Sequence, residues 1–144
     1  MTAVEHDVNV MFVRTMRIGE LAERAEVTPR TVRYYESLGL VPRGAREGNG
    51  QHRYGEETVV RLRKIEQLKN IGLSLDEIGQ VIDLYFSDPS GVRAKKKVLS
   101  MLRAHLADVD AKMGAMKQFR ADLAFHIERF EHWLEKNSLE KNAT

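Results

Sequence analysis

The chain of 144 residues is 42% hydrophobic and 31% charged, a balance that suits one soluble, helix-rich domain with an extension and excludes a disordered chain. It contains no cysteine, which excludes disulfides, thiolate redox chemistry and thiolate-held zinc, copper or mercury. The net charge of +2 is uneven: residues 14–70 carry 12 Lys and Arg against 8 Asp and Glu, whereas residues 71–144 carry 11 of each, so the first half is the one suited to a polyanion.

Residues 1–13 show no useful periodicity and read as a flexible arm or an edge strand, with residues 1–15 as the arm. Met11 and Met16 are alternative starts. The apolar run from Val8 to Val13 is too short to span a bilayer, and Glu5 and Asp7 precede it, so neither a membrane segment nor a signal peptide is expected. The protein reads as cytoplasmic.

From Ile18 the spacing turns helical, with Ile18, Leu21, Ala22 and Ala25 on one face. Val27 enters a short turn. Thr28 is a good N-cap and Pro29 suits the first turn of a second helix. That helix carries Val32, Tyr35 and Leu38 on one face and stops at Gly39. Two short helices across a tight turn predict a helix-turn-helix. Pro42, Gly44 and Gly48-Asn49-Gly50 mark the next stretch as turn-rich, with Val41–Arg43 and Gln51–Tyr54 as the strands of a small hairpin, a wing. Glu56 and Glu57 open a third helix along Val59, Leu62, Ile65 and Leu68, ending near Gly72. Ser74 and Glu77 form a capping box for a fourth, with Leu75, Ile78, Val81, Ile82 and Tyr85. The run Ser87-Asp88-Pro89-Ser90-Gly91 is a linker.

A long ladder follows: Leu99, Leu102, Leu106, Val109, Met113, Met116, Arg120, Leu123, Ile127, Phe130 and Leu134 alternate steps of three and four, and Arg120 is the one polar member. A heptad seam sustained this far predicts a coiled coil and a partner helix. A hairpin broken near Gly114 is the alternative. The domain plan is thus a winged helix-turn-helix domain over 16–87, a linker over 88–91, a dimerisation helix over 92–136 and a flexible tail over 137–144.

The second helix has the chemistry of a groove reader. Thr28, Arg30, Thr31 and Arg33 supply small or polar side chains and donors for base edges and phosphates, and Tyr34 can offer its hydroxyl to a phosphate. An ordinary amphipathic helix with core tyrosines is the competing reading, and Tyr35 is expected to be partly core in either case.

Three strings then carry a resemblance: Met16-Arg17-Ile18-Gly19-Glu20-Leu21-Ala22, Val27-Thr28-Pro29-Arg30-Thr31-Val32-Arg33-Tyr34-Tyr35-Glu36 and Gly39-Leu40-Val41-Pro42, followed by Arg53-Tyr54 and by Leu62, Ile65, Gly72, Leu75, Ile78 and Ile82. Over about residues 16–86 the chain resembles the MerR family of bacterial regulators. The resemblance implies an all-α dominated winged helix-turn-helix homodimer held by an antiparallel coiled coil. It implies binding to a pseudo-palindrome in double-stranded promoter DNA, with distortion of that DNA for RNA polymerase. By motif, Arg33, Tyr34 and Tyr35 would sit at the recognition site, and Arg53 and Tyr54 in the wing. Arg46 and His52 are wing candidates by position. Lys64 and Lys69 read as solvated, with phosphate contact as the sharper alternative.

The sensing end departs from the metal-, redox- and aldehyde-sensing relatives, which use cysteine. Of the histidines at 6, 52, 105, 126 and 132, His126 and His132 do not share a helix face, so no metal site and no cofactor are expected. Tyr85, Phe86, Phe119, Phe130 and Trp133, with Phe125 near them, are candidates for an apolar effector pocket, against a packed core. Arg93, Lys95, Lys96 and Lys97 read as a solvated helix start, with an anionic effector or DNA phosphate as the alternative. No catalytic constellation stands out, so an enzyme is not expected. An architectural protein acting through the coiled coil is the competing function.

Overall fold

A computed structural model describes residues 14–48 and 50–143, with side chains to residue 138. Residues 1–13 of the expected arm, and Asn49 at the wing tip, lie outside the described residues. Among the described residues, five helices and one hairpin follow in order: α1 (Ile18–Ala25), α2 (Pro29–Ser37), β1 (Ala45–Arg46), β2 (His52–Arg53), α3 (Glu56–Asn70), α4 (Leu75–Ser87) and α5 (Val92–Ala143). Two compact units divide the chain between Met101 and Leu102, within α5.

In the first unit α1 packs on both α2 and α3, and α3 packs on α4. The core is the set of apolar positions that helical spacing brings inward: Leu21, Ala22 and Ala25 from α1, Val32 from α2, Leu62 and Ile65 from α3, and Ile78, Val81 and Ile82 from α4. Leu38, expected on the inner face of α2, is exposed. Gly39 turns the chain at φ 75 before the next apolar residue, and Leu40 and Val41 are buried instead. This also displaces the wing. Val41–Arg43 was the expected first strand, but Val41 is held in the core and Pro42 has no N–H for a ladder, so pairing begins at Ala45. The strands are antiparallel, Ala45 opposite Arg53 and Arg46 opposite His52. Met16 adds a bridge beyond them, exchanging 2.8 Å backbone hydrogen bonds with Tyr54 in both directions.

The α4 capping box is formed: Glu77 N donates to Ser74 Oγ (3.2 Å) and Ser74 N donates to Glu77 Oε1 (2.9 Å). The stretch 88–91 is an ordered turn. Asp88 accepts from the Ser90 hydroxyl (2.7 Å) and from the Ser90 and Arg93 amides, and the Ser90 hydroxyl followed by the Arg93 amide holds its carboxyl below the usual range. Ala94 and Val98, at the start of α5, are buried in the first unit.

The second unit is the rest of α5. The helix is unbroken from Val92 to Ala143, passing Gly114 without interruption and continuing beyond residue 136, where a flexible tail was expected. An interior glycine costs a helix about 1 kcal/mol relative to alanine, which many good helix formers on both sides outweigh. No helix of the described residues is long and apolar enough to cross a membrane.

Candidate nucleic-acid interface

The turn between α1 and α2 is set by backbone geometry. Glu26 caps α1 in the left-handed region at φ 60, and Thr28 opens α2 with its Oγ1 accepting from Thr31 N at 3.1 Å. The Thr28 hydroxyl also donates to Thr31 Oγ1 at 3.0 Å. Both threonines, expected at base edges, thus take part in capping; Thr28 is exposed and Thr31 half-buried.

Helical periodicity divides the expected recognition residues between two faces. Arg30, Arg33 and Tyr34 face solvent, and Tyr34 is 53% exposed. Tyr35 takes the core place expected of it and is thereby corrected as a DNA-contact candidate: it is 1% exposed, its hydroxyl donates to Glu66 Oε1 at 2.6 Å and accepts from Lys69 Nζ at 3.0 Å. Burial, then the Glu66 hydrogen bond, raises its hydroxyl above the usual tyrosine value. Lys69 is likewise committed to Tyr35 and Glu66. Lys64 lies over the Tyr85 ring, 4.6 Å from its centroid.

The wing shows the same division. Arg46 is exposed. Arg53 Nε donates to Glu47 Oε1 at 2.9 Å within the hairpin. His52 Nδ1 donates to the Gly44 carbonyl at 2.8 Å. Gly44 is required here, because a Cβ would meet the Arg53 carbonyl oxygen at 2.3 Å. Tyr54 is the second correction: it is buried, and its hydroxyl donates to Glu36 Oε1 at 3.0 Å. Burial first, then Glu36, pushes its pKa up to about 12, against a lowering influence from nearby Arg33 and Arg43.

Between the start of α1, α2 and the wing lies a concavity of about 540 Å³. Arg17, Arg33, Arg43 and His52 line it with Glu36 as the one carboxylate. Three guanidiniums around one acid give the groove between recognition helix and wing a net attraction for an anion. Arg17 and Arg43 were absent from the expected site. Their signal was position: each flanks a motif, Arg17 before Ile18-Gly19-Glu20-Leu21 and Arg43 after Pro42.

The effector candidates are dispersed along the sequence. In the first unit Tyr85 is half-buried under Lys64, and Phe86 is 46% exposed with the Arg61 guanidinium 5.7 Å from its centroid. In the second unit Phe119, Phe130 and Trp133 are exposed on α5. Of the basic run, Arg93, Lys96 and Lys97 line a shallow concavity of about 490 Å³ with Gln80 and Leu84 of α4, and Lys97 Nζ donates to the Gln80 carbonyl at 3.3 Å. Among the described residues no cluster of three His, Asp or Glu is placed to hold a metal ion.

Comparison with known proteins agrees with this geometry. Residues 16–84 match the family described as MerR HTH family regulatory protein, and residues 59–124 match the one described as MerR, DNA binding. The HTH-type transcriptional regulator HmrR of Rhizobium leguminosarum bv. viciae is 33% identical over 75% of this chain and 81% of its own length. The HTH-type transcriptional regulator ZntR of Escherichia coli is 30% identical over 74% of each. The solved structure of PbrR691 from Ralstonia metallidurans CH34, in complex with lead(II), matches with a TM-score of 0.62 and 38% identity, covering 75% of this chain and 82% of that one. HiNmlR bound to promoter DNA shares the fold, with a TM-score of 0.51 and 23% identity over 74% of this chain and 78% of that one.

Proposed function

Because the chain belongs to the MerR family of HTH regulatory proteins and is a DNA-binding transcriptional regulator, we propose that it reads a pseudo-palindromic promoter operator as a homodimer through the groove between α2 and the wing. The observation that carries this reading is the convergence of Arg17, Arg33, Arg43 and His52 on one concavity beside the exposed Arg30 and Tyr34. Arg30 and Arg33 contact the major groove and its phosphates, Tyr34 gives its hydroxyl to a phosphate, and Arg46, with Arg53 behind it, presses the wing on the backbone. Thr28 and Thr31 hold the helix end that enters the groove. Pairing through the exposed α5 seam sets two such readers one half-site spacing apart.

Distortion of the bound promoter for RNA polymerase in the cytoplasm follows from the same reading, with deformation energy offset by phosphate contacts. The lead(II) complex belongs to PbrR691. This chain has no cysteine, so an effector here is not held by thiolates. Exposed Phe119, Phe130 and Trp133 and half-buried Tyr85 beside Phe86 favour an apolar or aromatic one.

A gel shift with the DNA upstream of the protein's own gene tests the proposal. The expected result is specific binding that weakens steeply with salt and falls about tenfold or more in Tyr34→Ala and in Arg33→Ala. Equal affinity for that DNA and for random duplex overturns it.

A further inference from the structure

The concavity between α2 and the wing is lined by one side chain of the kind that ordinarily changes charge between pH 5 and 8, His52. Its ring is anchored. Nδ1 donates to the Gly44 carbonyl at 2.8 Å, which ties β2 to the residue just before β1. A carbonyl only accepts, so Nδ1 carries a proton whether the ring is neutral or cationic, and the change of charge falls on Nε2. His52 is half-buried, so the ring is held by the hairpin and is still reached from outside.

The charged groups that share the concavity come from three segments: Arg17 at the start of α1, Arg33 and Glu36 on α2, and Arg43 in the loop before β1. Glu36 accepts from the Tyr54 hydroxyl at 3.0 Å. On the same strand as His52, Arg53 turns to Glu47 at 2.9 Å, so the neighbouring wing cation is engaged inside the hairpin. Three guanidiniums draw a phosphate towards the ring. An anion beside an imidazole favours its cationic form, because opposite charge stabilises the charged state.

We propose that His52 is a phosphate-contact residue that binds as the imidazolium, so that each half-site takes up one proton from solvent at Nε2 when DNA enters the concavity. This rests on the operator reading above and gives it a pH dependence. Linkage is reciprocal: DNA favours the protonated ring, so protons favour the DNA complex, and binding tightens as pH falls. Salt weakens every phosphate contact together, whereas pH acts on this one. The fold is not the source of such a slope near neutrality, since the Tyr54 hydroxyl keeps its proton up to about pH 12.

Fluorescence anisotropy of the full chain on a labelled duplex from upstream of its own gene, at fixed ionic strength from pH 6 to pH 8, tests the proposal. Wild-type affinity is expected to fall by roughly tenfold per half-site over that range, the size of one charge-assisted hydrogen bond. His52→Asn keeps an amide donor for the Gly44 carbonyl and has no titrating charge. It is expected to bind at pH 8 like the wild type and to lose most of the slope. Calorimetric titration of the wild type at pH 7 in two buffers of different ionisation heat counts the protons without any variant. Net uptake is expected, and no uptake or a release overturns the proposal. Affinity that stays constant with pH, with the upstream duplex still preferred over random DNA, overturns it and leaves the operator reading standing. A slope kept in full by His52→Asn overturns the assignment to His52. Equal affinity for upstream and random duplex overturns the operator reading alone, because the pH slope is then read on the random duplex.

Discussion

The Tyr54 hydroxyl donates a 3.0 Å hydrogen bond to Glu36 Oε1, so the end of the wing is fastened to the last turns of the recognition helix. Two elements separated in sequence are thereby held at one mutual orientation, and the groove lined by Arg17, Arg33 and Arg43 lies between them.

That bond makes stability depend on alkaline pH. The Tyr54 pKa rises from an ordinary value near 10 to about 12 in the folded chain. Above pH 10 the unfolded state loses the phenolic proton while the folded state keeps it, so the contribution is full below pH 10 and is lost as pH climbs to about 12. Tyr54→Phe is expected to lower stability by about 1–2 kcal/mol at neutral pH. It also flattens the fall in urea midpoint across that alkaline window. An unchanged slope in the variant would show that Tyr54 does not carry the effect.

The adjacent tyrosines of α2 are expected to separate two measurements. Tyr35→Phe removes a buried hydroxyl bonded to Glu66 and Lys69 and costs about 1 kcal/mol of stability. Tyr34→Phe alters an exposed hydroxyl, leaves the urea midpoint within about 0.5 kcal/mol, and weakens operator binding instead. Chemical denaturation and gel shift on the same two proteins check the split; the reverse assignment refutes it.

Glu26 holds the left-handed conformation at φ 60 where glycine is the usual occupant. Glu26→Gly is expected to stabilise the first unit by up to about 1 kcal/mol, since the steric cost removed exceeds the entropy added to the unfolded chain. A rise of a few degrees in the melting temperature checks this, and a fall contradicts it.

Gly44→Ala places a methyl group 2.3 Å from the Arg53 carbonyl oxygen. Both the clash and its partner are backbone, so the hairpin has to open rather than yield a side chain. A loss of about 1–3 kcal/mol is expected, together with weaker DNA binding from a displaced wing. Wild-type values in both assays would show that the hairpin tolerates the group.

Much of this was legible in the sequence, because the relevant forces are local. The Ser74–Glu77 box, the Thr28 cap with Pro29 behind it, and the α5 heptads are written in short spacings, and each is found where that spacing puts it. The errors arose where distant residues decide. Arg-Tyr-Tyr-Glu reads as one basic, aromatic clamp, but Glu66, thirty-one residues beyond Tyr35, captures one tyrosine while the other stays in solvent. Tyr54 looks like a wing residue until Glu36 takes its hydroxyl. The first wing strand was misplaced because the pull of the core on Val41 outweighs its local strand preference. Arg17 and Arg43 stand outside the expected site for the converse reason: each only flanks a motif, and folding alone brings them beside Arg33.

The alternation along α2 has a consequence for changing what this protein recognises. Structural constraint falls on Val32, Tyr35 and Glu36, while Arg30, Arg33 and Tyr34 face outward. The outward set can therefore be randomised as a library on an intact scaffold, and selection for new operators can proceed without each member having to solve the folding problem again.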